Sequence, residues 1–353
     1  MKRETFNRIL FIALFLVVVI GITIFIFLFK NDSNIDDSNV VEDTSINLSD
    51  YTKDVTIKKG GTYIITGSLN NALVVKTGSD EDVTLILDNV NIKNDDDAGI
   101  VGISGKSLTI KSKKDSINVV SDGGESSYDA AIYSDIPLTL EGEGTIRVSG
   151  NQKDGEGIAT KNKDITINSG IIEVKSEDDG INVGGEDGAI TINGGTIYVN
   201  ANGDGIDSNG TIVFNGGRSF IMGSDRGGNS AIDTDKGYTI NGGVVVACGN
   251  DMVEAPVDGS NQYSLVLSMH NISNNKMVSL VGESFNLTFT SEKAFSTLII
   301  STPQLSEGVY KLYIDGSYSG NLVEGIYESG TYTPGELLGT YTIDNTVTIF
   351  NDR

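Results

Sequence analysis

The chain of 353 residues is poor in chemistry-bearing side chains. It has one cysteine, Cys248, which excludes an internal disulfide, and one histidine, His270. Together they exclude a His/Cys zinc centre, which needs three or four ligands. Ser–His or Cys–His catalysis would have to run through His270, and Ser268-Met269-His270-Asn271 carries no nucleophile elbow. Tryptophan is absent and proline numbers only 4. Proline removes a ladder hydrogen bond, so its scarcity suits extended strand pairing. Positive charge is scarce as well: 25 basic residues face 48 acidic ones, a net charge of -23. Phosphates would be repelled over most of such a surface, which argues against a nucleic-acid partner. Glycine is what abounds, at 43 residues, as a protein of short strands and tight turns requires.

The N-terminus predicts a membrane anchor over residues 1–30. Lys2, Arg3 and Arg8 precede an apolar run from Ile9 to Phe29, diluted only by Gly21 and Thr23 and closed by Lys30. Those residues would span ~31 Å as a helix, the thickness of a bilayer core. A cleaved signal peptide is the alternative, but its apolar region is ~7–15 residues and ends at small residues. Here the run ends Ile24-Phe25-Ile26-Phe27-Leu28-Phe29. The charge bias places the N-terminus in the cytoplasm and the rest of the chain outside the cell. Residues 31–50 read as a disordered acidic linker, with Asp32, Asp36, Asp37, Glu42, Asp43 and Asp50 and no base.

Residues 51–250 repeat with a period of ~25 residues, the mark of a stacked-coil architecture. Ile165-Thr166-Ile167-Asn168-Ser169-Gly170 returns as Ile190-Thr191-Ile192-Asn193-Gly194-Gly195, then at 212–217 and 238–243. Each unit supplies three short strands with apolar and polar residues alternating, so one face is buried. No unit could fold alone, but stacked in register they make one Ile/Val core, a parallel β-helix of about eight coils. An antiparallel sandwich is the rival, and it gives no reason for the repeat. Asn168, Asn193, Asn215 and Asn241 should form a column at one corner. Asparagine tolerates the left-handed conformation, and its amide can bond the next coil ~4.8 Å away. From 251 to 353 the period stops while strand-like runs continue, and this part reads as a small β-rich capping module over the open last coil.

Aligned on the isoleucine that opens each unit, two columns change character along the axis. Two residues before it stand Ala98, Ala130, Glu156, Asp179, Asp204 and Ser230; one after it stand Val101, Tyr133, Ala159, Asn182, Asp207 and Asp233. Asp179, Asn182, Asp204, Asp207 and Asp233 would then share one edge. Like charges so near repel, so the edge calls for a cation or shifted protonation. Hard oxygen donors without His or Cys point to Ca2+; a solvated acidic ridge is the plain alternative. A second column, Arg147, Glu173, Tyr198, Phe220 and Val246, offers Tyr198 and Phe220 one coil apart as a stacking platform for sugar rings, with Arg218 beside them. An aromatic stack beneath the C-terminal module reads the same residues structurally.

The Ile-Thr-Ile-Asn-Gly-Gly-Thr-Ile repeat, the Asp-Gly-Ile openings at 179–181 and 204–206, and Ser301-Thr302-Pro303-Gln304-Leu305-Ser306-Glu307-Gly308 with Tyr310 resemble the bacterial surface carbohydrate-binding proteins. That resemblance implies a right-handed parallel β-helix, similar to pectate lyases, over roughly 50–350. It implies calcium on the coils and cellulose-type or acidic polysaccharide as partner. The resulting expectation is a membrane-tethered, extracellular, calcium-loaded polysaccharide-binding protein without catalysis. A calcium-dependent polysaccharide lyase is one alternative, with Lys175, Arg218 or Lys236 as base; a structural adhesin or stalk is the other.

Overall fold

The computed structural model describes residues 40–41, 44–124 and 127–352. The expected transmembrane helix, residues 9–29, lies outside them. Among the described residues no helix is long and apolar enough to cross a membrane.

The molecule is all-β, a right-handed-type β-solenoid of about seven turns. Its first strand series forms a nine-stranded parallel sheet among the described residues, including Ile100–Ser104, Ala130–Ser134, Glu156–Thr160, Ile181–Val183, Ile206–Ser208 and Ile232–Thr234. The second series includes Leu138–Gly142, Ile165–Ile167, Ala189–Ile192, Thr211–Phe214 and Tyr238–Ile240. The third includes Thr145–Gly150, Ile171–Ser176, Thr196–Ala201, Arg218–Met222 and Val244–Gly249. Parallel register carries each position onto its equivalent: Ile165, Ile190 and Ile212 are partners, as are Thr139, Thr166 and Thr191. Alternation does the rest. Ile190 and Ile192 are fully buried while Thr191 between them is half-buried on the outer face.

The solenoid has about seven turns against the eight expected, and the turns are unequal in length. Ile100 and Ile132 are register partners but stand 32 residues apart, because a loop intrudes between Ser121 and Ala130. In an earlier turn, Asp82–Lys93 runs through the corner as one strand, pairing with both Ser107–Ser112 and Ile117–Ser121. Nor is all of 31–50 a linker. Val40–Val41 pairs with Val55–Ile57, Ser45–Asn47 pairs with Gly61–Leu69, and Ile46 and Leu48 are buried in the solenoid core. Two apolar side chains amid acids sufficed to enter the first turn.

The asparagine column is a ladder. Asn193 donates to Asn168 at 3.0 Å, Asn215 to Asn193 at 2.9 Å and Asn241 to Asn215 at 3.1 Å. Asn261, outside the repeat, extends it by donating to Asn241 at 3.0 Å. The left-handed residue of each corner is the glycine two places on, not the asparagine: Gly195 has φ +88 and Gly217 has φ +78. A Cβ on Gly195 would also stand 2.8 Å from the Gly170 carbonyl one turn away.

Beyond residue 250 the chain continues the solenoid and then folds back over it. Val244–Gly249 pairs antiparallel with Phe295–Ser301, which pairs with Ser264–Ile272. A six-stranded sheet follows among the described residues, with Asn321–Val323 and Ile326–Glu328 at one edge. It buries a second core that includes Phe220, Met222, Val246, Cys248, Phe289 and Phe295.

Candidate functional site

The two acidic columns form as the repeat requires. Val101, Tyr133, Ala159, Asn182, Asp207 and Asp233 are register partners in sequence along the first sheet. The preceding column uses its carboxylates to fasten one turn to the next. Asp179 Oδ1 accepts from the Asp204 amide at 2.7 Å, and Asp204 Oδ1 accepts from the Ser230 amide. Asn182 Nδ2 donates to Glu156 Oε1 at 2.8 Å and reaches Asp179 Oδ2 at 3.5 Å.

Burial governs the electrostatics of this edge. It lifts the carboxyl of Asp179 to about 8, with Asp178, Asp204 and Asp207 adding repulsion. Asp207 rises to about 7 and Asp204 to about 6, each chiefly through burial and then through neighbouring aspartates. Glu156, 7% exposed, is lifted to about 8 by burial and by Asp129. Two buried oxygens there, Glu156 Oε2 and Asn182 Oδ1, have no hydrogen-bond partner among the described residues. At the far end burial raises the carboxyl of Glu254, and Asp233 adds to the rise. Glu156 was legible in the alignment as a member of the first column. Glu254 was not, because it sits in the aperiodic Met252-Val253-Glu254-Ala255.

All the donors are hard oxygens, which fits Ca2+ in kind. No three His, Cys, Asp or Glu side chains among the described residues converge closely enough to enclose an ion by themselves.

The aromatic column is arranged differently from an open platform. Tyr198 and Phe220 do neighbour each other, with ring centroids 6.0 Å apart. Phe220, however, is 1% exposed and packs on Phe289 at 5.8 Å. Gly325 also lies against its ring, so neither face of Phe220 is open to a ligand. Arg218 is turned into the C-terminal sheet, where it pairs with Glu328 and donates to the carbonyls of Val323 and Ile326. The covering sheet comes from residues a hundred positions downstream, which no local pattern announces. Tyr198, 8% exposed, alone keeps an edge on a cleft.

A solenoid with a carboxyl-lined edge and a cleft beside its third strands defines a ligand-binding scaffold. The chain belongs to the carbohydrate-binding domain-containing protein family, whose model matches residues 51–302. A carbohydrate-binding domain-containing protein of Acetivibrio thermocellus is 32% identical over 150 residues, which are 40% of this chain and 51% of that protein. The chain thus spans about half the length of this relative. A solved structure, the polysaccharide lyase-like protein from C. thermocellum as its gadolinium derivative, is similar at 29% identity and a TM-score of 0.46, covering 54% of this chain and 83% of its own.

Proposed function

We propose that this carbohydrate-binding protein holds an acidic, pectin-like polysaccharide through Ca2+ on the column Asp179, Asn182, Asp204, Asp207 and Asp233, without catalysis. Residues 9–29 would anchor it in the cell membrane with the solenoid outside; an intact mass that retains Met1 supports that part, and a start between 25 and 50 refutes it. The observation that carries the reading is the stack of buried carboxyl groups with raised proton affinity beside two orphaned oxygens, Glu156 Oε2 and Asn182 Oδ1. When bound, the ion supplies the positive charge that lets an acidic protein hold an acidic chain. Calcium takes six to eight oxygens, more than this edge brings together, so carboxylates of the polysaccharide would complete its shell. Calcium and polysaccharide should therefore bind cooperatively.

The candidate lyase bases are engaged elsewhere, which favours binding over catalysis. Lys175 pairs with Glu292 at 3.9 Å, Arg218 with Glu328, and Lys236 donates to the Glu186 carbonyl.

Retention on a polygalacturonate column tests the reading. The parent should be retained in calcium and released by chelator. Asp207→Asn with Asp233→Asn removes charge while sparing the Asp179 and Asp204 fasteners, and should abolish retention at unchanged fold. Undiminished retention of that double variant, or retention that survives chelator, would sink the proposal.

A further inference from the structure

A cleft of about 340 Å³ lies between the outward face of the third strands and the 322–325 segment of the C-terminal sheet. Its volume is in the range that takes a small ligand. Register builds the floor. Arg147, Glu173 and Tyr198 are successive partners in one column, and Ser149 and Lys175 are partners two residues on. The roof is the 322–325 segment, tied down by Arg218 through the Val323 and Ile326 carbonyls. Its seat is tight. Gly325 has φ +77, and a Cβ there would fall 2.0 Å from the Phe220 ring. Glu324, which lines the cleft, is held at φ +41, in the left-handed region that non-glycine residues rarely adopt.

The lining is set up for a polar, uncharged guest. Arg147 grips Glu173 with two hydrogen bonds, at 2.8 and 3.3 Å. Across the cleft Glu292 pairs with Lys175 at 3.9 Å and accepts from Asn200 at 2.9 Å. Both cations are thus neutralised in place, and Glu324 leaves a surplus of negative charge, so an anionic sugar would be repelled. The fixed pairs still present donors and acceptors side by side, the arrangement that vicinal hydroxyls require. Leu322, 50% exposed, and the edge of Tyr198 supply apolar surface for the C–H face of a ring.

We propose that this cleft is a second glycan subsite, one that takes a neutral oligosaccharide independently of any cation. It rests on the family's carbohydrate binding and not on the acidic column. Its roof also lies beyond the matched residues 51–302.

Calorimetric titration of the full-length chain in chelator, with cellohexaose, xylohexaose, mannohexaose and hexagalacturonate, tests this. At least one neutral hexasaccharide should bind, and hexagalacturonate should not. Ser149→Trp fills the cleft from its floor and should abolish that binding. Leu322→Ser, on an exposed position, should weaken it roughly tenfold through the lost apolar contact. Asp207→Asn with Asp233→Asn should leave it unchanged, so loss of polygalacturonate retention alone keeps the cleft standing. Binding of no neutral probe by the parent, or equal binding by Ser149→Trp and the parent, would overturn the assignment.

Discussion

Asn215→Ala tests how the asparagine ladder contributes to the stack. Asn215 donates to Asn193 at 2.9 Å and accepts from Asn241 at 3.1 Å, so the change removes two bonds at once. Its backbone does not occupy the left-handed region, and the strained position belongs to Gly217 instead. Alanine therefore fits the chain, and the loss is confined to the ladder. A net hydrogen bond contributes ~0.5–1.5 kcal/mol, and exposed ones lie at the low end. The expected loss is ~1–2 kcal/mol. Asn261 ends the ladder and makes a single bond in it, at 3.0 Å, so Asn261→Ala should lose about half as much. Urea unfolding followed by circular dichroism measures both against the parent. Equal losses, or no measurable loss at Asn215, would show that the amides merely line up and that the corner glycines and core carry the stacking.

Ile192→Asp should unfold the solenoid, since it places an unpaired charge at a fully buried site for several kcal/mol, whereas Thr191→Asp on the outer face should be mild; equal melting temperatures for the two would contradict the register. Stability in chelator should fall with rising pH. Asp179, Asp207 and Glu156 titrate near 3.8 or 4.5 when unexceptional but at about 8, 7 and 8 here, so the folded state binds more protons between those values. Their contribution is complete below pH about 4, declines steadily as pH rises through the interval between, and is gone above about 8. The metal-free protein should melt lower at pH 8.5 than at pH 5.5, and calcium should flatten that slope; a flat or rising profile in chelator would refute the burial of these groups.

The sequence by itself determined the solenoid, its period, which isoleucines face inward, and the membership of the Asn and Asp columns. The physical reason is that parallel in-register stacking turns a spacing of about 25 residues into a neighbour one strand away. Asn168, Asn193, Asn215 and Asn241 could therefore be placed from the chain alone, and so could Asn182, Asp207 and Asp233. Only the tertiary structure decided what covers those columns. Phe220 is buried, Arg218 is locked to a carboxylate 110 residues away, Glu254 joins Asp233, and the 322–325 segment roofs a cleft. Each of these depends on how residues beyond 250 fold back. That segment has no period, and its antiparallel strands meet partners at separations that hydrophobic alternation does not encode.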